Sequence, residues 1–153
     1  MPFKEMGNQL PPYVSYKTFS NFLVSLPYYL PAPIDRSYWG AIYSDRTGTK
    51  LMSAMRFLNL IDANSRATTQ LKVLIPATGA HRAARLRQVA EEAYPFVFKG
   101  LDIRKATYAE LQNAFLNTYQ MEDAVCRRCI KFFIELSADA CIPLCLQLIQ
   151  EFK

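Results

Sequence analysis

A chain of 153 residues with 51% hydrophobic and 13% aromatic side chains can fill a packed interior. That excludes intrinsic disorder and suits one domain, or two small subdomains sharing a core. The net charge of +5 is concentrated: residues 36–105 hold twelve Lys and Arg against five Asp and Glu, a surplus of seven, while the flanks hold six against eight. A polyanionic partner would therefore meet the centre of the chain.

The first fourteen residues read as an arm, because Gly7, Pro11 and Pro12 interrupt any regular element. The opening Met1-Pro2-Phe3-Lys4-Glu5 has none of the regions of a signal peptide. No apolar run approaches the roughly 20 residues that cross a bilayer, so a cytoplasmic protein with no membrane partner is expected. Ser15 is placed to cap a helix to about Leu26, with Phe19, Phe22, Leu23 and Leu26 on one face and Pro27 as its stop. Tyr28-Tyr29-Leu30-Pro31-Ala32-Pro33 is then an extended connector whose aromatics are expected to pack under the loop.

The centre of the chain, Ile34 to Thr68, has the order helix, turn, helix, polar loop. Asp35 caps a helix from Arg36 to about Tyr43, and Ser44-Asp45-Arg46-Thr47-Gly48 supplies a turn in which Gly48 is free to take a positive φ. Thr47 or Thr49 caps the second helix, where Leu51, Ala54, Met55, Leu58 and Ile61 form one apolar stripe. Asp62-Ala63-Asn64-Ser65-Arg66 follows as a polar turn able to hold a short wing. The sum describes a winged helix-turn-helix whose second helix, Thr49 to Leu60, enters a DNA groove. Thr49, Lys50, Ser53 and Arg56 point away from the apolar stripe and suit phosphate and base-edge contacts, with Arg46 and Arg66 at either end. Phe57 and Leu60 project to nearly the same side, so another segment or a partner protein is expected to cover that end. The competing reading is an ordinary buried helix with a solvated polar strip.

Thr68 opens a short helix through Leu74, closed by Pro76. A helix from Ala80 to about Tyr94 follows, with Leu86, Val89, Ala90 and Ala93 inward. Its outer side carries His81, Arg82, Arg85 and Arg87, which read as a second phosphate strip led by Arg82 and Arg85, or as a solvated face with Arg87 and Glu91 paired at i, i+4. Phe96, Val97 and Phe98 look like core anchors. Thr107-Tyr108-Ala109-Glu110 is a capping box that starts a helix running to Leu116. A longer helix covers Glu122 to about Asp139, with Val125, Cys129, Phe132, Phe133 and Leu136 inward. After Pro143 the tail is strongly apolar, and Leu146, Ile149 and Phe152 must find cover in this domain or in another copy. Apart from the wing, no strands are expected. The predicted fold is mainly α: an arm (1–14), then one helical domain (15–153) with a winged-helix-like helix-turn-helix part (15–76) followed by a C-terminal helical subdomain (77–153).

Catalytic chemistry finds little footing. Cys126, Cys129, Cys141 and Cys145 have spacings that invite zinc, but the first pair lies inside a predicted helix without a knuckle glycine. Thr47-Gly48-Thr49-Lys50 lacks the first glycine and the preceding strand of a phosphate loop. His81 is the only histidine, and no Ser or Cys nucleophile has a base nearby in sequence. No catalytic residue, metal, cofactor or small-molecule substrate is therefore expected.

Pro11-Pro12-Tyr13-Val14-Ser15-Tyr16-Lys17-Thr18-Phe19, Ile34-Asp35-Arg36-Ser37 and the run from Leu51 to Asp62 together resemble a prokaryotic family named domain of unknown function 5343. Ala93-Tyr94-Pro95, Ala106-Thr107 and Phe132-Phe133 look like its later landmarks. The likeness runs from about Pro11 to Leu144. It departs at Asn59 and at the Asn64-Ser65 turn, where the family usually carries glycine, and in its cysteines. The resemblance implies a bacterial, archaeal or phage setting and no particular mechanism. Two functions are carried forward: a non-enzymatic protein binding double-stranded DNA, and a protein-interaction or homo-oligomerisation module built on the same helices.

Overall fold

The computed structural model describes residues 9–152, so the expected arm lies largely outside the described residues. Nine helices are present among them: α1 (Tyr16–Ser25), α2 (Arg36–Trp39), α3 (Asp45–Phe57), α4 (Thr69–Leu74), α5 (Gly79–Ala93), α6 (Pro95–Phe98), α7 (Tyr108–Thr118), α8 (Asp123–Asp139) and α9 (Leu146–Gln150). The protein is mainly helical. The single β feature among the described residues is an antiparallel bridge between Ile61 and Ala67. No helix there is long and apolar enough to cross a membrane.

Helix starts follow the capping chemistry read from the sequence. Ser15, Asp35, Thr68 and Thr107 each accept a hydrogen bond from an orphan N–H of the first turn. At Thr107 the box is complete, because the Glu110 side chain also accepts from the Thr107 amide.

The centre differs from expectation in register. α2 is one turn long and ends at Trp39, not at Tyr43. Ser44 caps α3, its hydroxyl accepting from the Thr47 amide, so that helix begins four residues earlier than expected. Gly48 does not serve a turn: it is buried inside α3. A β-carbon there would lie 2.0 Å from the Trp39 ring, so glycine is needed for close approach. α3 ends at Phe57, and Asn59 takes the left-handed conformation (φ 58°) that reverses the chain. Leu60 and Ile61 drop into the interior, and Ser65 takes φ 62° in the turn leading back to Ala67.

α8 is the spine of the second half and packs against α1, α5 and α7. Its inner side presents Cys129, Phe132, Phe133 and Leu136, all buried. Phe132 meets Tyr16 and Phe19 of α1 edge-on, and Phe133 meets Tyr94. One apolar cluster runs through both halves of the chain. Pro11 and Pro12 belong to this interior, and the Cys129 thiol donates to the Pro11 carbonyl at 3.4 Å. The described end of the arm is therefore seated, because α8 offers it an apolar shelf.

Tyr28 and Tyr29 correct the sequence reading. They do not pack under their connector: Tyr28 is 77% and Tyr29 96% exposed. The connector is not extended throughout either: it bends at Tyr28-Tyr29 and at Ala32-Pro33, where the peptide bond is cis, and Leu26 and Ile34 on either side take the buried positions instead.

Candidate nucleic-acid interface

α3 carries two stripes. Leu51, Met52, Ala54 and Met55 are buried. Arg46, Thr49, Ser53 and Arg56, at i, i+3, i+7 and i+10, lie on the other side. Arg46 and Thr49 are exposed, whereas Ser53 and Arg56 are half-buried. The stripe opens towards the N-terminal end of the helix and closes towards its C-terminal end.

The closure has identifiable causes. Phe57 is covered by this chain, its ring 5.2 Å from Tyr94 and 6.1 Å from Tyr119. Leu60 is wholly buried. Leu60 is therefore not available to a partner, which corrects its place in the expected protein interface, while Phe57 is half-buried and finds cover from the C-terminal helices of this chain. Arg56 bends away from the stripe and donates to the Ser65 hydroxyl at 2.9 Å, joining α3 to the following turn. Asp62 holds that turn together by accepting from the Asn64 and Arg66 amides. The Arg66 and Asn64 amides keep its carboxyl below the usual range, so it stays ionised. Arg66 itself is exposed.

Lys50 does not extend freely. Its ammonium lies 5.3 Å from the centre of the Tyr13 ring, a cation–π placement that anchors the group without neutralising it. Tyr13 in turn lines a cleft of about 260 Å³ with Lys17, Arg128 and Lys131, with Glu135 at one side. Sequence reading missed these three cations. Arg128 and Lys131 belong to α8, within a flank that is acidic on balance, and Tyr13, seated by the packing of residues 11–14, is what links their cleft to Lys50 of α3.

The cations proposed on α5 behave differently from one another. Arg82 is paired with Asp139 at 3.0 Å, and the same carboxylate accepts from the Tyr16 hydroxyl at 2.6 Å. Burial, then the Asp139 bond, raises the Tyr16 phenol above its ordinary range. This cluster ties α1, α5 and α8 together and removes Arg82 from the phosphate-binding set. Arg85 is exposed, and Arg87 is paired with Glu91 as one sequence reading expected. Among the described residues, Arg46, Lys50, Arg56, Arg66 and Arg85 form no ion pair, nor do Lys17, Arg128 and Lys131.

In the tail, Leu148 is buried, while Leu146 (67%) and Ile149 (37%) are exposed. Phe152 is half-buried beneath the Arg127 guanidinium, 4.4 Å from its ring centre. Cys126 and Cys129 are inside the core and Cys141 is exposed. No three His, Cys, Asp or Glu side chains among the described residues converge on a metal position. Burial pushes the Cys126 thiol up and the Cys129 thiol up to about 12. No family model, no curated protein and no solved structure matches this chain.

Proposed function

We propose that this is a non-enzymatic, winged-helix-like protein that binds double-stranded DNA through the open half of α3 and the turn after it. The single observation that carries the reading is continuity. The outward stripe Arg46–Thr49–Ser53–Arg56 passes through the Arg56–Ser65 hydrogen bond to Arg66, and none of its cations is in a salt bridge among the described residues. The order α2, turn, α3 and bridged turn supports a groove-reading helix followed by a wing. Because the far half of α3 is covered, base-edge contact falls to Thr49 and Ser53, and affinity rests mainly on phosphates. Lys17, Lys50 and Arg128 extend the same surface past Tyr13.

The test is polarisation of a labelled duplex across a salt series. Neutralising about four phosphates gives a log–log salt slope of about −3 to −4 and dissociation constants in the micromolar range or weaker. Replacing Arg46 and Arg66 together by alanine flattens the slope by about two. Folded protein in excess that leaves the duplex unbound at low salt removes the reading.

A second reading, self-association through the tail, is favoured by one observation. Exposed Ile149 borders an apolar groove of about 260 Å³ with Ile134, Ala138, Ile142, Leu144 and Phe152, and Leu146 stands open beside it on the same helix. Sedimentation of wild type against Leu146→Asp decides it, since that exposed position tolerates the charge in a monomer. Identical concentration dependence in both proteins would end this reading.

A further inference from the structure

The connector between α1 and α2 exposes two tyrosine rings side by side in sequence, Tyr28 at 77% and Tyr29 at 96%. A tyrosine usually buries a large part of its ring, and here the chain provides the rings with no cover. Both residues line a cleft of about 460 Å³ that Asp62, Arg66 and Lys72 also line. Both cations are exposed and, among the described residues, neither is in an ion pair.

The cleft is fixed where it meets the fold. The Ile34 amide donates to the Ser65 carbonyl at 2.7 Å, and Ile34 is fully buried, so the connector is pinned to the turn that bears Arg66. Pro31 narrows the backbone freedom of the segment that presents the rings. Asp62 accepts from two amides of its own turn and stays ionised, offsetting part of the Arg66 charge, so with Lys72 the cleft keeps two cations against one carboxylate.

Open aromatic faces beside unmatched cations suit a ligand that offers flat faces and negative charge together. Bases in a duplex have their faces stacked on one another and cannot offer them. Unpaired bases can, and their phosphates then fall to nearby cations. We propose that Tyr28 and Tyr29, with Arg66 and Lys72, form a stacking site for unpaired bases, so that the protein engages single-stranded nucleic acid, or the frayed end of a duplex, beside its α3 surface. This rests on the nucleic-acid reading above for the continuity between α3 and Arg66, which the two surfaces share, but it adds Tyr28, Tyr29 and Lys72 and is tested separately through the rings.

The experiment compares three labelled probes of equal length by polarisation: oligothymidylate, an abasic strand with the same phosphates, and a blunt duplex. Oligothymidylate binds about tenfold or more tighter than the abasic strand, the margin expected of base–aromatic stacking. Replacing Tyr28 and Tyr29 together by alanine brings oligothymidylate down to the abasic level and leaves the duplex unchanged. Tyr29→Trp keeps or strengthens single-strand binding. Arg46→Ala does the opposite to the alanine pair, weakening the duplex and sparing oligothymidylate. Both rings are exposed, so the alanine pair is expected to melt with wild type. Equal affinity for oligothymidylate and the abasic strand overturns the stacking site, as does an alanine pair that binds like wild type. Binding of a proline-rich peptide but of neither single strand reassigns the tyrosines to a protein partner and overturns it too. Loss of the duplex arm alone rejects the α3 reading and leaves the stacking site standing.

Discussion

The ring of Trp39 occupies the space where a side chain on Gly48 would begin, 2.0 Å from the position of its β-carbon. One residue thereby sets how closely the one-turn α2 lies against α3. Helix propensity alone favours Gly48→Ala by about 1 kcal/mol, since alanine is the better helix former. Trp39 is only 4% exposed and has no room to withdraw, so overpacking dominates and costs about 1–3 kcal/mol. Urea unfolding should show Gly48→Ala less stable than wild type, and an increase in stability would contradict the packing described.

At Asn59 the opposite sign is expected. Its φ of 58° is strained for a residue with a β-carbon and free for glycine, so Asn59→Gly should stabilise the fold by a few tenths to about 1 kcal/mol. The Asn59 amide makes only a long 3.5 Å contact to Gln70, too weak to reverse the result. Ser65→Gly relieves similar strain at φ 62° but removes the acceptor for Arg56, and should gain less. A thermal melt of the two variants beside wild type orders them.

Asp139 accepts from Tyr16 and pairs with Arg82, at positions only partly open to water. Asp139→Ala leaves a phenol and a guanidinium without their partner and is expected to cost about 1–3 kcal/mol. Asp139→Asn keeps an acceptor for Tyr16 and should cost less. Equal losses in the two variants would show that the charge, and not the hydrogen bond, dominates.

The buried thiols set an alkaline limit. Cys129 is held protonated up to about 12 in the fold, against an ordinary thiol value of 9.0, and burial raises Cys126 in the same direction. A group whose folded pKa is raised stabilises fully below its unfolded pKa and loses that contribution as pH climbs towards the folded value. Above pH about 9 the unfolded chain releases the Cys129 proton first, so stability falls by up to about 1.4 kcal/mol per pH unit from this group. Urea midpoints between about pH 8 and 10 should show the decline, with a shallower slope in Cys129→Ala. An unchanged slope would mean that the thiol titrates normally and that the seat of Pro11 against Cys129 is looser than described.

Much of the architecture was legible along the chain. The caps at Ser15, Asp35, Thr68 and Thr107, and the inward faces of α1, α5 and α8, depend on neighbours within one or two turns, and short-range chemistry is what a sequence records directly. The register of α2 and α3 escaped because Gly48 reads as a turn residue until Trp39 is seen lying on it. The open half of α3 was likewise foreseeable from its stripe of polar residues, and so was the need to cover the other half, but not what covers it: Phe57 finds Tyr94 and Tyr119 from a distant part of the chain.

The functional surface divides the same way. Composition and periodicity by themselves determined a mainly helical protein, an apolar stripe on α3 and an excess of cations near the middle of the chain. Only the tertiary structure decided which of those cations keep an unmatched charge. Arg82 meets Asp139 across 57 residues, Lys50 meets a tyrosine from the arm, and Arg66 comes to lie beside two exposed rings more than thirty residues earlier. A charge acts through what lies within a few ångströms of it, and that neighbourhood is created by packing between elements, not by order along the chain.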